Sequence, residues 1–249
     1  MLTRLKRFRD KLVIRTTFVA ILWFALADVA CSQTLPVFTE FSPPYQYTDE
    51  DNRVVGLSTQ RVETIFELAQ VTPDFYLFPW ARSLHLAQTT PSALIYSIAR
   101  TPERESRFFW IAPVAKFKLA LVSQNNDRLP AITDWSQLTN FRFAVQRGDV
   151  GMAWLESQGL TEGNELVVCT DIACSWEYLD KGVVDFIIED PALIKETAEK
   201  LNLPIDRFKA NAVIPELEVV GYLAANRATP KNIVERLQKA AAQLAQANH

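Results

Sequence analysis

Short apolar runs alternate with amphipathic helical patterns along most of the chain, and this alternation restricts the possible folds more than any other feature. The runs LPVFT, DFYLF and ALIYSIA are separated by two stretches whose apolar residues recur at helical spacing. A second series begins at FKLALVSQ and ends with the amphipathic segment PKNIVERLQKAAAQLAQ, which has a proline in its first turn. The order strand, helix, strand, helix, strand predicts a parallel α/β sheet, and its repetition predicts two α/β units.

The N-terminal segment 1–32 has the layout of a secretory signal peptide. Six lysines and arginines precede the uncharged run TTFVAILWFALA, which is short for a membrane span. Cleavage after Ser32 would remove six basic and two acidic residues, and the net charge would change from −3 to −7. This charge argues against nucleic acid or an anionic membrane as a partner. Lipidation of Cys31 is an alternative that fits less well, because Asp28 stands where an apolar residue is usual.

The other two cysteines, Cys169 and Cys174, form a close pair in the segment CTDIAC. An exported chain favours a disulfide over a metal site for such a pair, and the two histidines, His85 and His249, add little metal-binding capacity. The sequence has no glycine-rich phosphate loop and no GxSxG or HExxH motif. We therefore expect no metal, no cofactor and no catalytic triad.

Four segments are expected to meet at the carboxyl ends of the strands, where α/β sheets bind their ligands. They are the loops EFSPPYQY, YSIARTPERESR and VQRGDVG and the strand end Glu189-Asp190. Three of them resemble segments of the family 3 extracytoplasmic solute-binding proteins, the polar amino-acid receptors of ABC importers. The segments SIARTPERESRFFWIAPV, DWSQLTNFRFAVQRGDVG and LDKGVVDFIIED carry most of the resemblance, together with PPY and PWARSL. It extends from about Leu35 to Gln243.

The resemblance implies a two-lobed, periplasmic-binding-protein-like α/β fold of type II, with a ligand cleft between the lobes. It assigns Arg104 to the ligand carboxylate and Asp190 to the ligand ammonium from the opposite lobe. The other implied ligand-binding residues are Ser97 on the strand beside Arg104, Asp149 and Val150 after the loop glycine, and the apolar walls Phe41, Tyr45 and Trp80. Arg100 adds a second cation to the same loop.

The chemistry of these residues fits a zwitterion independently of the resemblance. A guanidinium pairs well with a carboxylate and an acid pairs with an ammonium. Ordinary structural roles remain open for the same residues. The arginines of the Arg104 turn can form a solvated cluster with Glu103 and Glu105, Trp80 can be a core residue, and Asp190 can cap the helix that follows it.

We expect a non-enzymatic, monomeric periplasmic protein that delivers a small polar solute, an amino acid or related carboxylate, to an ABC permease in the inner membrane. One lobe is predicted to comprise residues 33–117 and 221–249, and the other residues 118–220. An alternative is an enzyme on the same scaffold, such as a dehydratase of a prephenate-like acid, with Glu40, Asp149 or Glu189 as general acid or base. A membrane-tethered ligand sensor is a third possibility if the N-terminal segment stays attached.

Overall fold

A computed structural model describes residues 34–126 and 128–247 of the 249-residue chain. The predicted signal peptide and Cys31 lie outside the described residues. The strands are β1 (Thr34–Thr39), β2 (Tyr47–Thr48), β3 (Val54–Val55), β4 (Thr72–Leu77), β5 (Leu94–Ala99), β6 (Phe108–Gln124), β7 (Phe143–Gln146), β8 (Leu166–Cys169), β9 (Phe186–Glu189) and β10 (Phe208–Asn226). The helices are α1 (Leu57–Ala69), α2 (Trp80–Thr89), α3 (Pro102–Glu105), α4 (Val150–Ser157), α5 (Ile172–Asp180), α6 (Ile194–Lys200) and α7 (Lys231–Ala247).

One mixed sheet of eight strands runs through the described residues, in the order β4-β1-β5-β10-β6-β9-β7-β8. Strands β4, β1 and β5, here called the first half, pair in parallel. Strands β9, β7 and β8, the second half, also pair in parallel. The long strands β10 and β6 lie between them, are antiparallel to each other, and join β5 on one side to β9 on the other.

The predicted α/β class and the parallel pairing within each unit are confirmed. The sheet as a whole is mixed, and the predicted length of two strands is wrong. The sequence predicted FKLALVSQ and LEVVGYLA as short strands, whereas β6 has 17 residues and β10 has 19. Polar residues and prolines, such as Pro113, Lys116 and Glu218, interrupt the apolar pattern along both strands. The strands continue through these positions because β6 and β10 pair with each other along most of their length.

The first half of the sheet is covered on both faces, which is why its strands are nearly continuous apolar runs. Helices α1 and α7 pack on one face, where Phe66 and Leu237 are fully buried against β1 and β5. Helix α2 covers the other face with Trp80 and Ala87, which pack against Phe38 and Ile98. Burial of these apolar surfaces, at about 25 cal/mol per Å², stabilises the half that carries the Arg104 turn.

The second half has the same two-sided packing. Phe143 and Val145 of β7 face a cluster that includes Leu155 of α4. Ala144, between them in sequence, faces the opposite cluster with Trp176 of α5, as the alternation of side chains along a strand requires. These packed helices fix the carboxyl ends of β7 and β9, where the second group of site residues lies.

Cys169 at the end of β8 and Cys174 in α5 form a disulfide with a Cα–Cα distance of 5.7 Å, and the predicted pairing is confirmed. Within residues 34–126 and 128–247, the helices are too short or too polar to cross a membrane. The same residues contain no cluster of three or more histidine, cysteine, aspartate or glutamate side chains suited to a metal ion.

Candidate functional site

A cavity of about 80 Å³ lies where the carboxyl ends of four strands meet, two from each half of the sheet. Loops leave β1 and β5 on one side and β7 and β9 on the other, and this convergence of strand ends forms the cleft. The polar side chains that line the cavity are Glu40, Ser42, Gln46, Ser97, Arg104, Gln146, Asp149 and Glu189.

Arg104 is the cation that the structure places in this cavity. It lies on the single-turn helix α3, and only 8% of its surface is exposed. Its Nη1 donates to the carbonyl of Ala99 at 3.2 Å and its Nη2 to the carbonyl of Gly148 at 2.8 Å. Burial lowers the pKa of Arg104, and the nearby carboxyls of Asp149 and Glu40 oppose this effect. A guanidinium carries five N–H groups, so Arg104 retains donors for a ligand.

The carbonyl of Gly148 connects the two halves of the sheet. It accepts one hydrogen bond from Arg104 and another, of 3.0 Å, from Nε1 of Trp80, the first residue of α2. Gly148 has a φ of +72°, in the left-handed region that favours glycine, and this turn directs the chain from β7 into α4. The guanidinium of Arg104 also lies 5.1 Å from the Trp80 ring, within range of a cation–π interaction.

A third hydrogen bond across the cleft joins Glu40, which follows β1, to Gln146, which ends β7. Nε2 of Gln146 donates to Oε2 of Glu40 at 3.0 Å. Burial raises the pKa of Glu40 from 4.5 to about 8, and the charges of Asp149 and Glu189 act in the same direction. Oε1 of Gln146 is buried and makes no hydrogen bond within the described part of the chain, so it can accept one from a ligand donor.

Asp149 and Glu189 bring two further carboxyls to the cavity from the second half. Asp149 caps α4 by accepting a hydrogen bond from the backbone N–H of Val150. Burial raises the pKa of Asp149, against the lowering effects of that N–H and of Arg104. Burial also raises the pKa of Glu189 to about 7, although the backbone N–H of Asp190 donates to its Oε1 at 2.8 Å.

Ser97 lies at an irregular point of β5, with a φ of +60°. Its hydroxyl donates to Oε1 of Gln46 at 2.9 Å, and both side chains line the cavity. Gly221 of β10 lies directly behind it, and a Cβ at that position would come within 3.0 Å of the Ser97 Cα. Glycine at 221 therefore permits the close approach of β10 to the strand that carries Ser97.

The structure brings together six of the nine residues predicted to bind the ligand. Around the cavity lie Phe41, Trp80, Ser97, Arg104, Asp149 and Val150. The predicted aromatic wall residue Tyr45 is not among the described residues that line it. Its hydroxyl donates to the carbonyl of Lys116 at 3.2 Å, and its ring packs edge-on against Phe117.

Arg100 and Asp190 also lie outside the cavity, and each has partners that account for its position. Arg100 is at the surface, where its guanidinium pairs with Glu105 at 2.6 Å. One carboxylate oxygen of Asp190 accepts from the backbone N–H of Lys118 and the other from that of Ala192, at 2.8 and 2.9 Å. Asp190 thus has the capping role that its position before a proline allowed.

Sequence reasoning did not assign Glu40, Gln146 and Glu189 to ligand binding, although Glu40 and Glu189 were considered as acids of an enzyme. The three share one signal, because each is a polar residue at the carboxyl end of a strand in parallel pairing. Together with Arg104 and Asp149, they give the cavity acids from both halves and one cation from the first half. This arrangement can hold a small polar solute that carries a carboxylate and an ammonium or guanidinium.

Comparisons with known proteins agree with this geometry. A family model described as "Bacterial extracellular solute-binding proteins, family 3" matches residues 37–247. No curated protein sequence matches the chain significantly.

Solved structures of similar fold include an ancestral arginine-binding protein bound to arginine, with a TM-score of 0.72 and 19% identity over 86% of this chain and 93% of that one. The substrate-binding protein of an amino acid ABC transporter has a TM-score of 0.70 and 14% identity, over 87% and 95% of the two chains. A histidine kinase sensor domain with similarity to periplasmic binding proteins has a TM-score of 0.73 and 16% identity, over 87% and 92%. These likenesses confirm the predicted two-lobed α/β fold of periplasmic binding proteins.

Proposed function

The chain belongs to family 3 of the bacterial extracellular solute-binding proteins, and we propose that it captures an amino acid or a related small carboxylate in the cavity between the two halves of its sheet. The observation that supports this proposal is the placement of opposite charges on the two sides of the cavity. Arg104 follows β5, whereas Asp149 and Glu189 belong to the second half. A zwitterion bound between them would contact both halves.

The proposed orientation places the ligand carboxylate on Arg104. Charge-assisted hydrogen bonds of a guanidinium to a carboxylate contribute about 1.5–3 kcal/mol each. The ligand ammonium then lies toward Asp149 and Glu189. We propose Glu189 for the contact that the resemblance assigned to Asp190, because the oxygens of Asp190 already accept from Lys118 and Ala192.

We further propose that the ligand stabilises a closed arrangement of two lobes, comprising residues 33–117 with 221–249 and residues 118–220. Among the described residues, three side-chain hydrogen bonds connect the two sides across the cavity: Trp80 and Arg104 to Gly148, and Gln146 to Glu40. A solute that contacts both sides adds to these bonds only when they are close, and it therefore favours closure. The closed monomer would then deliver the solute from the periplasm to an ABC permease in the inner membrane, after removal of segment 1–32.

The buried carboxyls favour one second candidate, an enzyme such as a dehydratase of a prephenate-like acid. Burial raises the pKa of Glu40 to about 8, and a carboxyl that is protonated at neutral pH can serve as a general acid. Incubation of the purified protein with such acids, followed by absorbance of the aromatic product, tests this candidate. Turnover that disappears in Glu40→Gln would favour the enzyme, whereas binding without turnover favours the transport protein.

A thermal-shift screen with the twenty amino acids, small dicarboxylates and polyamines tests the proposed function. A ligand at 100 times its Kd adds about 2.7 kcal/mol to the free energy of unfolding and raises the melting temperature. Titration calorimetry with the stabilising compound then compares Arg104→Ala with Arg107→Ala, a change of an exposed arginine three residues away. We expect Arg104→Ala to weaken binding at least 30-fold, about 2 kcal/mol, and Arg107→Ala to change it less than twofold.

Two results would contradict the proposal. The first is the absence of any stabilising compound in the three classes. The second is equal affinity of the wild type and Arg104→Ala for a carboxylate ligand.

A further inference from the structure

The cavity contains more acids than bases, which restricts the charge of the solute that it can hold. Among the described residues that line it, the carboxyls of Glu40, Asp149 and Glu189 face a single guanidinium, that of Arg104. The acids come from three different strand ends, so the excess is a property of the cavity and not of one loop. If all three were ionised, the cavity would have a net charge of −2 before a solute enters.

Neighbouring basic side chains do little to offset this excess. Glu40 also borders an adjoining cavity of about 220 Å³, whose charged residues are Asp171 and Lys200. The ammonium of Lys200 lies 4.3 Å from the ring of Tyr47, and Asp171 caps α5 by accepting from the N–H of Cys174. The two charges have opposite signs, and neither forms a described ion pair with Glu40.

The immediate partners of the three acids are neutral. Glu40 accepts from the side-chain amide of Gln146, and Asp149 and Glu189 accept from backbone N–H groups. Neutral donors stabilise a carboxylate less than a cation does. Buried carboxyls in such surroundings hold protons at a pH at which exposed carboxyls have lost them.

If the protein binds an amino acid as proposed above, we propose that this solute is one whose cationic groups outnumber its carboxylates, and that it binds in exchange for protons of Glu40 and Glu189. The carboxylate of the solute pairs with Arg104. Its ammonium or guanidinium groups donate to the acids, and each carboxyl that ionises gives its proton to the solvent. A solute with one net positive charge then makes the occupied cavity neutral when Asp149 and one of the two glutamates are ionised.

The pKa values of the two glutamates agree with this exchange. Burial raises the pKa of Glu40 to about 8 and that of Glu189 to about 7, so that both carry protons over part of the neutral range. A bound cation lowers both pKa values, and protons are released on binding. Binding therefore strengthens as the pH rises from 6 to 8, by about tenfold per pH unit for each proton released. An anionic solute would show the opposite dependence.

Titration calorimetry with L-arginine, L-glutamine and L-glutamate tests the charge preference. Titrations at pH 7 in phosphate and in Tris, whose ionisation enthalpies differ, give the number of protons released. We expect L-arginine to bind more tightly than L-glutamine, L-glutamate to bind least, and L-arginine to release about one proton. Tighter binding of L-glutamate, or binding of L-arginine without proton release, would overturn this inference and leave the proposed function standing. Failure of all amino acids to bind would overturn both.

Substitution of the two glutamates identifies the proton donors. Glu40→Gln and Glu189→Gln should each reduce the number of protons released and flatten the increase of L-arginine affinity between pH 6 and 8. Glu63→Gln is the matched control, because Glu63 on α1 also has a raised pKa but does not border this cavity. If both cavity variants release as many protons as Glu63→Gln, the exchange does not involve these carboxyls. Circular dichroism of each variant confirms that it is folded.

Discussion

The two halves of the sheet contribute different chemistry to the same cavity. The first half supplies the guanidinium of Arg104 and the carboxyl of Glu40. The second half supplies the carboxyls of Asp149 and Glu189 and the amide of Gln146. Both halves are α/β units whose site residues follow the carboxyl ends of strands, so the difference lies in the side chains and not in the architecture. Under the proposed function, this charge asymmetry would orient a ligand with its carboxylate toward Arg104 of the first half.

The halves also differ in how their charged side chains are held. Asp149 and Glu189 accept from the backbone N–H of the next residue in the chain, and these contacts are local to the second half. Arg104 depends on both halves, because one of its acceptors is Ala99 and the other is Gly148. The orientation of the guanidinium therefore depends on a contact with the other half, whereas the local contacts of the two acids do not.

The largest expected effect is on the pH dependence of the free energy of unfolding, to which Glu40 of the first half and Glu189 of the second half contribute. Glu40 keeps its proton up to about pH 8 in the folded chain and Glu189 up to about pH 7, whereas unfolded glutamates lose theirs near 4.5. The folded state thus binds more protons above pH 4.5, and the free energy of unfolding falls as the pH rises. Between pH 5.5 and 8 we expect Glu40 to account for a loss of about 3 kcal/mol and Glu189 for about 2 kcal/mol.

Urea unfolding at a series of pH values measures these losses. Glu40→Gln should reduce the decrease of the free energy of unfolding with pH more than Glu189→Gln does. Glu235→Gln, on the exposed face of α7, serves as the control and should leave it unchanged. Equal slopes in all three variants would mean that neither carboxyl is protonated in the folded chain near neutral pH.

The next effect concerns the neighbours Glu189 and Asp190, and it tests which of them belongs to the second half's part of the cavity. Asp190→Ala removes the acceptors of the Lys118 and Ala192 N–H groups, one of which caps a helical turn. We expect it to lower the free energy of unfolding by about 2–3 kcal/mol, while Asp190→Asn, which can retain a cap, should cost less. Chemical unfolding measures the stability and calorimetry the affinity. If Asp190→Ala is as stable as the wild type but binds ligand poorly, Asp190 contacts the ligand.

Removal of the disulfide should weaken the second half and leave the first half's contacts intact. Cys169 and Cys174 are five positions apart, and in the chain-entropy description a loop of this size stabilises the folded state by about 2 kcal/mol. Ile172 lies within that loop and lines the cavity. We expect reduction with dithiothreitol to lower the melting temperature of the wild type. Cys169→Ser/Cys174→Ser should already melt at the lower temperature and should not respond to reductant. Free thiols at Cys169 and Cys174 in the unreduced wild type would contradict the bridge.

The sequence predicted the elements of both α/β units and the segments that meet at the cleft, because apolar periodicity and strand ends are local properties. It did not predict β6 and β10 at full length, since both strands are held mainly by pairing with each other, and they are distant in sequence. The choice between Glu189 and Asp190 was equally inaccessible. Neighbouring strand residues point to opposite faces, and only the assembled sheet determines which face borders the cavity.

The smallest expected effect is that of Arg100→Ala, which is compared with Arg104→Ala. The sequence predicted both arginines in the same ligand-binding loop. Arg100 forms an exposed two-point ion pair with Glu105, and its guanidinium lies 5.3 Å from the Trp110 ring. Exposed pairs of this kind contribute about 0.2–1 kcal/mol to stability. Arg100→Ala should therefore lower the free energy of unfolding by less than about 1 kcal/mol and change ligand affinity less than twofold. Unfolding and calorimetry of this variant beside Arg104→Ala measure the contrast. A tenfold loss of affinity in Arg100→Ala would show that the loop after β5 moves on binding and brings both arginines to the ligand. The first half would then contribute two cations to the cavity.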